Sequence, residues 1–217
     1  MQNTIRFLTD LSKNNNRDWF NEHKDNYLKA KEEFELFISR LIQKMATFAP
    51  DCAHLLPKDV VFRIYRDTRF SKDKTPYKTH FGAYIAQGGR KGNFAGYYLH
   101  LDPKEPFAGG GLYMPPSEQL KRVRQEIAYN FEEFRTIVEA KKFVKQFGSL
   151  IDDRLQRPPK GYDADHPAIE YLKYKGFTVV QSLDISIFNS DKPEEQIAMI
   201  FRDLAPLVDF LNRALKD

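Results

Sequence analysis

The apolar positions of the first fifty residues recur with a helical period. Phe7, Leu8 and Leu11 share one helix face, and Asn14-Asn15-Asn16 interrupts the pattern. A second pattern of period 3.6 starts near Arg17 and ends before Pro50. Its apolar positions are Trp19, Phe20, Tyr27, Phe34, Phe37, Ile38, Leu41, Ile42, Met45 and Phe48. Such stripes are typical of amphipathic helices that pack on a core, so the N-terminal part is predicted to be helical.

The middle of the chain changes to short runs rich in β-branched and aromatic residues. The runs predicted to be strands cover residues 60–65, 81–86, 94–101 and 106–114. Turn-forming segments at 88–93, predicted to be a flexible hairpin tip, and at 102–105 separate the last three runs. Short connections favour antiparallel pairing, because a parallel pair needs a longer crossover. Gly109-Gly110-Gly111 predicts a bulge or a backbone exposed to a ligand, and the bulge is favoured.

Helical patterns return after residue 115. Asn130, Asp165 and Asp191 are each placed to cap a helix, and Gly148 is placed to end one. Residues 177–181 predict a further strand, and Pro206 is predicted to kink the last helix. This order predicts an α+β fold with N-terminal helices, a central antiparallel β-sheet and C-terminal helices, in a single domain over residues 1–217.

Composition limits the class of protein. The chain has 217 residues, of which 41% are hydrophobic, so it is long enough to bury a core without a disulfide or a metal. Its single cysteine, Cys52, excludes an intramolecular disulfide, and no apolar run approaches the ~18 residues of a membrane span. The N-terminus carries Arg6 and Asp10 where a secretory leader would be apolar. We therefore expect a cytoplasmic protein that does not associate with a membrane.

Motifs for metals and cofactors are weak. Cys52 and His54 supply only two ligands, and structural zinc sites need four. Asp163, Asp165 and His166 are better explained by a helix start than by a metal site. Neither glycine cluster has the spacing of a phosphate-binding or dinucleotide-binding loop. The sequence therefore predicts no metal and no cofactor.

The net charge of +4 is concentrated in the segment 63–78, RIYRDTRFSKDKTPYK. This basic segment holds two acids, Asp67 and Asp73, against six basic residues, so the rest of the chain is neutral. Such a run can be a solvated or internally paired surface, but its arginine forks also match phosphate or carboxylate, and an anion site is favoured. The candidate anion-binding residues are Arg63, Arg66, Arg69, Lys72, Lys74, Lys78 and Gly110.

Three functions remain open at this stage. The first is a pocket lined by arginine and lysine for a phosphorylated or carboxylated small molecule, with His100 or Tyr77 as candidates for proton transfer if the protein is an enzyme. The second is nucleic-acid binding by the basic segment, with Tyr65 and Phe70 among the aromatics that would stack on bases. The third is a module that docks an acidic partner protein. No pattern in the chain specifies an oligomeric state.

The basic segment resembles the signature of a known family. Further matching runs are 15–20, 96–98, 109–111 with Pro115, 161–163 and 166–167. Together they resemble a conserved bacterial and fungal family classed as a domain of unknown function (number twenty-four sixty-one). Tyr113 stands where that family's pattern has tryptophan. The resemblance covers nearly the full chain and implies one domain identified by the basic segment. It implies no activity, cofactor or substrate.

Overall fold

The N-terminal part of the protein is helical, as predicted. The computed structural model describes residues 1–216. Its first helices are α1 (Gln2–Lys13), α2 (Arg17–Glu22), α3 (Lys24–Met45) and α4 (Pro57–Val60). The pattern that begins at Arg17 was predicted as one helix, but it is divided at His23, where the backbone leaves helical geometry. Asn16 begins α2 by accepting a hydrogen bond from the amide of Trp19 at 2.9 Å.

Four strands form one antiparallel sheet in the order β1-β2-β3-β4. The strands are β1 (Phe81–Ala86), β2 (Gly96–Leu101), β3 (Phe107–Leu112) and β4 (Phe177–Ser182). Helices α5 to α8 lie between β3 and β4 in the chain, and α9 follows β4. Their bounds are Ser117–Tyr129 for α5, Phe131–Val138 for α6, Lys141–Phe147 for α7, Ile169–Leu172 for α8 and Pro193–Arg213 for α9. The predicted α+β architecture is confirmed.

The two faces of the sheet have different surroundings. Helices α3 and α9 pack on one face, where Phe81 contacts Phe34 and Tyr97 contacts Phe201, each with ring centroids 5.3 Å apart. Side chains alternate along a strand, so the other face carries Tyr84, Tyr98, His100, Phe107, Thr178 and Val180. No helix within residues 1–216 is both long and apolar enough to cross a membrane.

The predicted strand over residues 60–65 is wrong. Residues 60–65 form no strand, because Val60 ends α4 and the rest make only the isolated bridges Val61–Ala83 and Tyr65–Tyr77. Pro57 starts that helix and Asp59 accepts from the amide of Leu56, which fixes a helical turn there.

The predicted helix caps also differ from the structure. The side-chain amide of Asn130 donates to the Glu126 carboxylate in the preceding helix and caps nothing. The amide of Ala168 donates to His166 rather than to Asp165. Helix α9 starts at Pro193 without a side-chain cap. Gly148 does end α7, with a positive φ of 71°. At Asn130 the predicted cap is absent because the side chain instead finds a partner in the last turn of the preceding helix.

Candidate functional site

A cavity of about 640 Å³ opens on the sheet face that α3 and α9 leave uncovered. Strands β2, β3 and β4 supply its floor, which includes Tyr98, Phe107 and Val180. Phe62, Lys78 and Arg90 line one side, and the segment after β3 lines the other. Cavities of this size with a mainly apolar lining and a few polar groups are typical of sites for small organic molecules.

The glycine run makes the floor of this cavity flat. Gly109 and Gly111 pair in unbroken register with β2 and β4, so the predicted bulge is wrong. A Cβ on Gly109 would lie 3.1 Å from the Val180 side chain, which places the position on the cavity face. Gly110, a predicted anion contact, borders the cavity with its backbone, whereas a Cβ there would point into the core against Leu204. The glycines therefore line this part of the cavity with backbone alone.

Two cations at the cavity edge have no acidic partner. Lys78 Nζ lies 5.4 Å and Arg90 Cζ lies 5.8 Å from the centroid of the Phe62 ring. Arg90 donates only to the backbone carbonyls of Lys58 and Asp59, at 2.9 and 3.2 Å. Within residues 1–216, no carboxylate lies within ion-pair distance of either cation. Burial, followed by the charges of Arg63 and Arg90, lowers the pKa of Lys78.

The six predicted cations differ in their partners and in whether they line the cavity. Arg66 donates to Asp73 at 2.5 Å and to the Thr75 carbonyl at 3.2 Å, and Arg69 pairs with Asp67 at 2.7 Å. Lys74 donates to the carbonyl of Thr68 at 2.9 Å. Arg63 and Lys72 are exposed and make no hydrogen bond or ion pair in the described part of the chain. Of the six, only Lys78 lines the cavity.

Arg90 was missed by the sequence analysis. It lies in the β1–β2 connection, whose glycines suggested a flexible tip, yet the structure has a short 3-10 helix at Gly89–Lys91 held against α4. Gly89 packs so close to the carbonyl of Asp59 that a side chain there would collide with it. The sequence offered one signal for Arg90. It is part of a basic pair, Arg90-Lys91, in the connection between two predicted strands that follow the basic segment.

The loop formed by residues 66–75 yields a first testable prediction. The amide of Thr75, then Arg66 and the Thr75 hydroxyl, hold the pKa of Asp73 at about 2. Because this folded-state pKa is below the unfolded value of about 3.9, the pairing stabilises the loop above that value and is lost as pH falls through 2. In Arg66→Gln we expect the pKa of Asp73 to rise only partway to its ordinary value, since the Thr75 amide remains.

An NMR titration of the aspartate side-chain carbons measures this change. Arg69→Gln is the matched control, because it should raise the pKa of Asp67, which Arg69 lowers by a hydrogen bond, and leave Asp73 unchanged. Equal titration of Asp73 in the wild type and in Arg66→Gln would show that the Arg66–Asp73 pair does not form in solution.

Asn15 fixes the end of the basic segment that enters the cavity. Its side-chain amide donates to the Tyr77 carbonyl at 2.9 Å and accepts from the Tyr77 amide at 3.2 Å. The Tyr77 ring stacks on Phe20 with centroids 3.9 Å apart. Tyr77, one candidate for proton transfer, is thus buried against the N-terminal helices and does not line the cavity. This anchoring sets the position of the next residue, Lys78.

His100, the other candidate for proton transfer, does line the cavity. Its ring stacks on Phe107 with centroids 4.5 Å apart, and its Nδ1 lies 3.2 Å from the Tyr98 hydroxyl. The His80 ring lies beside it at 4.1 Å. Burial lowers the pKa of both imidazoles, that of His80 to about 4 with further contributions from His100 and Lys78.

Asp102 completes a cluster with these two histidines. One ligand atom from each of His80, His100 and Asp102 lies within 4.8 Å of the other two. It is the only such group of three found in residues 1–216, so neither Cys52 with His54 nor Asp163 with His166 belongs to one. Cys52 is buried, and burial raises the pKa of its thiol to about 11, which makes it an unreactive core residue.

Comparison with known proteins gives one result that covers the chain. No match is found among curated proteins or among solved structures. A family model described as conserved hypothetical protein (DUF2461) matches residues 3–210, which include the basic segment, the glycine run and every residue of the cavity. The chain therefore belongs to the DUF2461 family of conserved hypothetical proteins.

Proposed function

We propose that this protein binds a small organic anion, a carboxylate or a phosphate monoester with a flat apolar body, in the cavity on the open face of the sheet. The observation that supports this most is the pair of cations at the cavity edge. Lys78 and Arg90 both approach the Phe62 ring, and no acid in residues 1–216 pairs with either. A bound anion would relieve their mutual repulsion and form charge-assisted hydrogen bonds.

The rest of the cavity fits the body of such a ligand. Tyr98 and Phe107 present aromatic surface, and Gly109 and Gly111 present flat backbone between them and β4. A planar ring can lie over glycine backbone where any side chain would exclude it. The expected ligand therefore has its charge at the Lys78 end and an aromatic or flat ring over the glycines.

Nucleic-acid binding is the second candidate, and one observation favours it. The Phe70 side chain is 94% exposed and lies beside Arg69, so an aromatic ring is available for stacking on a base. However, Arg66, Arg69 and Lys74 are engaged within the basic segment itself. Three remaining cations would give a log–log salt dependence of affinity for single-stranded RNA with a slope of about −2, which is weak for a dedicated binder. An acidic protein partner and a cytoplasmic location stay predictions from the sequence.

Calorimetric titration with four probes tests the proposal: inorganic phosphate, benzoate, phenyl phosphate and a short RNA. We expect phenyl phosphate to bind more tightly than inorganic phosphate, because its ring buries apolar surface over the glycine floor. Lys78→Met and Arg90→Met should each weaken binding by about tenfold or more, which is about 1.4 kcal/mol. Lys72→Met is the matched control, since Lys72 belongs to the same segment and does not line the cavity.

Three results would contradict the proposal. One is the absence of binding by both aromatic anions. Another is equal affinity in the wild type and in Lys78→Met. The third is an equal loss in Lys72→Met, which would show a general charge effect. RNA binding that weakens equally in Lys72→Met and Lys78→Met, with the salt dependence above, would support the second candidate instead.

A further inference from the structure

The cluster of His80, His100 and Asp102 is a product of the sheet register. Phe81 pairs with Leu101 and Gly82 pairs with His100, so residue 80, just before β1, lies opposite residue 102, just after β2. These positions lie on the same face of the sheet as Tyr98 and the cavity, because side chains alternate along a strand. Three side chains with ligand atoms are thus brought together by backbone pairing rather than by a flexible loop.

Each member keeps a ligand atom available. Asp102 uses Oδ1 to accept from the amides of Lys104 and Glu105, at 2.8 and 3.3 Å, whereas its Oδ2 makes no hydrogen bond in the described part of the chain. The Tyr98 hydroxyl can accept from Nδ1 of His100 at 3.2 Å, which leaves Nε2 for a ligand. A partner on the second ring nitrogen is the usual support of a metal-binding histidine, because it fixes the tautomer and the ring orientation.

Gly82 makes room for that support. A Cβ at this position would lie 2.5 Å from the Tyr98 hydroxyl, so the absence of a side chain on Gly82 lets the phenol ring lie against β1 beside His100. The ligand atoms of a tetrahedral site lie about 3.4 Å apart when metal–ligand distances are about 2.1 Å. The three ligand atoms lie within 4.8 Å of one another, so their side chains would have to move closer on binding an ion.

We propose that His80, His100 and Asp102 bind one divalent transition-metal ion of the Zn²⁺ and Co²⁺ class at the edge of the cavity. Two imidazoles and one carboxylate suit such ions, whereas Mg²⁺ and Ca²⁺ prefer oxygen donors alone. Three protein ligands leave a coordination position open. His100 also lines the cavity, so the ion would lie at the cavity wall. The inference does not depend on the proposed anion binding.

Titration of the full chain, first stripped with a chelator, with Zn²⁺, Co²⁺ and Mg²⁺ tests the site. Calorimetry gives stoichiometry and affinity, and the visible absorption of Co²⁺ reports coordination by nitrogen and oxygen. We expect one equivalent of Zn²⁺ or Co²⁺ and no response to Mg²⁺. The double variant His80→Gln/His100→Gln should lose at least about 100-fold in affinity, and Tyr98→Phe should lose about 10- to 100-fold, as outer partners of metal-binding histidines do.

Matched variants keep this test decisive. Asp102→Asn keeps a side-chain oxygen that can accept from the Lys104 amide, so this variant should fold. It lacks the carboxylate, so it should bind metal weakly. His54→Gln removes an exposed histidine outside the cluster and should bind metal as the wild type does. Lys78→Met should also keep the metal, which separates this site from the anion site. Less than one equivalent in the wild type, or unchanged Co²⁺ spectra in Asp102→Asn and the double histidine variant, would overturn the proposal.

Discussion

Replacing Gly111 by alanine is expected to lower the free energy of unfolding by about 2 to 5 kcal/mol, because backbone strain and a steric overlap add up at this position. Gly111 has a φ of +111°, where a side chain costs about 1–2 kcal/mol. A Cβ would also overlap the carbonyl oxygen of Phe177 on the neighbouring strand. That oxygen belongs to the β3–β4 pairing, so relief requires the strands to separate, at a further cost of about 1–3 kcal/mol.

Gly161→Ala separates the two causes. Gly161 has a similar φ of +94°, but nothing lies within 4 Å of the position that a Cβ would take. Only the backbone strain remains, so we expect a loss of about 1–2 kcal/mol. Urea unfolding followed by circular dichroism gives both values from the midpoint and slope. Equal losses in the two variants would show that the close approach of Gly111 to Phe177 is absent in solution.

The glycine run also shows what the sequence does and does not specify. The sequence pattern correctly located β1, all of β2, most of β4 and the strand that contains Gly109-Gly110-Gly111. Three glycines in a strand are compatible with a bulge, with a ligand contact and with close strand pairing. Only the register shows that Gly111 lies opposite Thr178 and next to the Phe177 carbonyl. The local pattern predicts the strand, whereas the reason for glycine at position 111 is the close approach of the neighbouring strand β4.

The basic segment shows that its charge composition, too, does not reveal which cations reach the cavity. Its composition correctly marked an unusual region, but Asp67 and Asp73 engage Arg69 and Arg66 over only a few residues. Arg90 meets Lys78 at the cavity because its 3-10 helix packs against α4, a tertiary contact with no sequence signal of its own. A charge count of the segment therefore includes arginines that are already paired with nearby acids. It also omits Arg90, a cation from another part of the chain that lies at the cavity.

The histidine–aspartate cluster lay closer to prediction. A hairpin between the predicted strands 81–86 and 94–101 already places residue 80 near residue 102. His100 was predicted only as a candidate for proton transfer and residue 102 only as part of a turn, because the sequence does not specify the register of the hairpin.

Asn15→Ala is expected to lower the free energy of unfolding by about 2 kcal/mol and to weaken anion binding as well. The substitution removes both hydrogen bonds to Tyr77, whose buried amide and carbonyl would then lack partners. Since Tyr77 precedes Lys78, the end of the basic segment that reaches the cavity loses its anchor to the turn between α1 and α2. These hydrogen bonds thus join the 15–20 run to the basic segment in the fold.

Asn14→Ala is the control, because the neighbouring amide of Asn14 donates only to the exposed Asp10 carbonyl of its own helix. We expect a change within about 0.5 kcal/mol there. Urea unfolding measures stability, hydrogen exchange at the Tyr77 amide reports the anchor directly, and titration with phenyl phosphate reports the cavity. If Asn15→Ala and Asn14→Ala behave alike in all three, the N-terminal helices do not position the site. If only Asn15→Ala loses Tyr77 protection and affinity together, the position of Lys78 depends on the turn between α1 and α2.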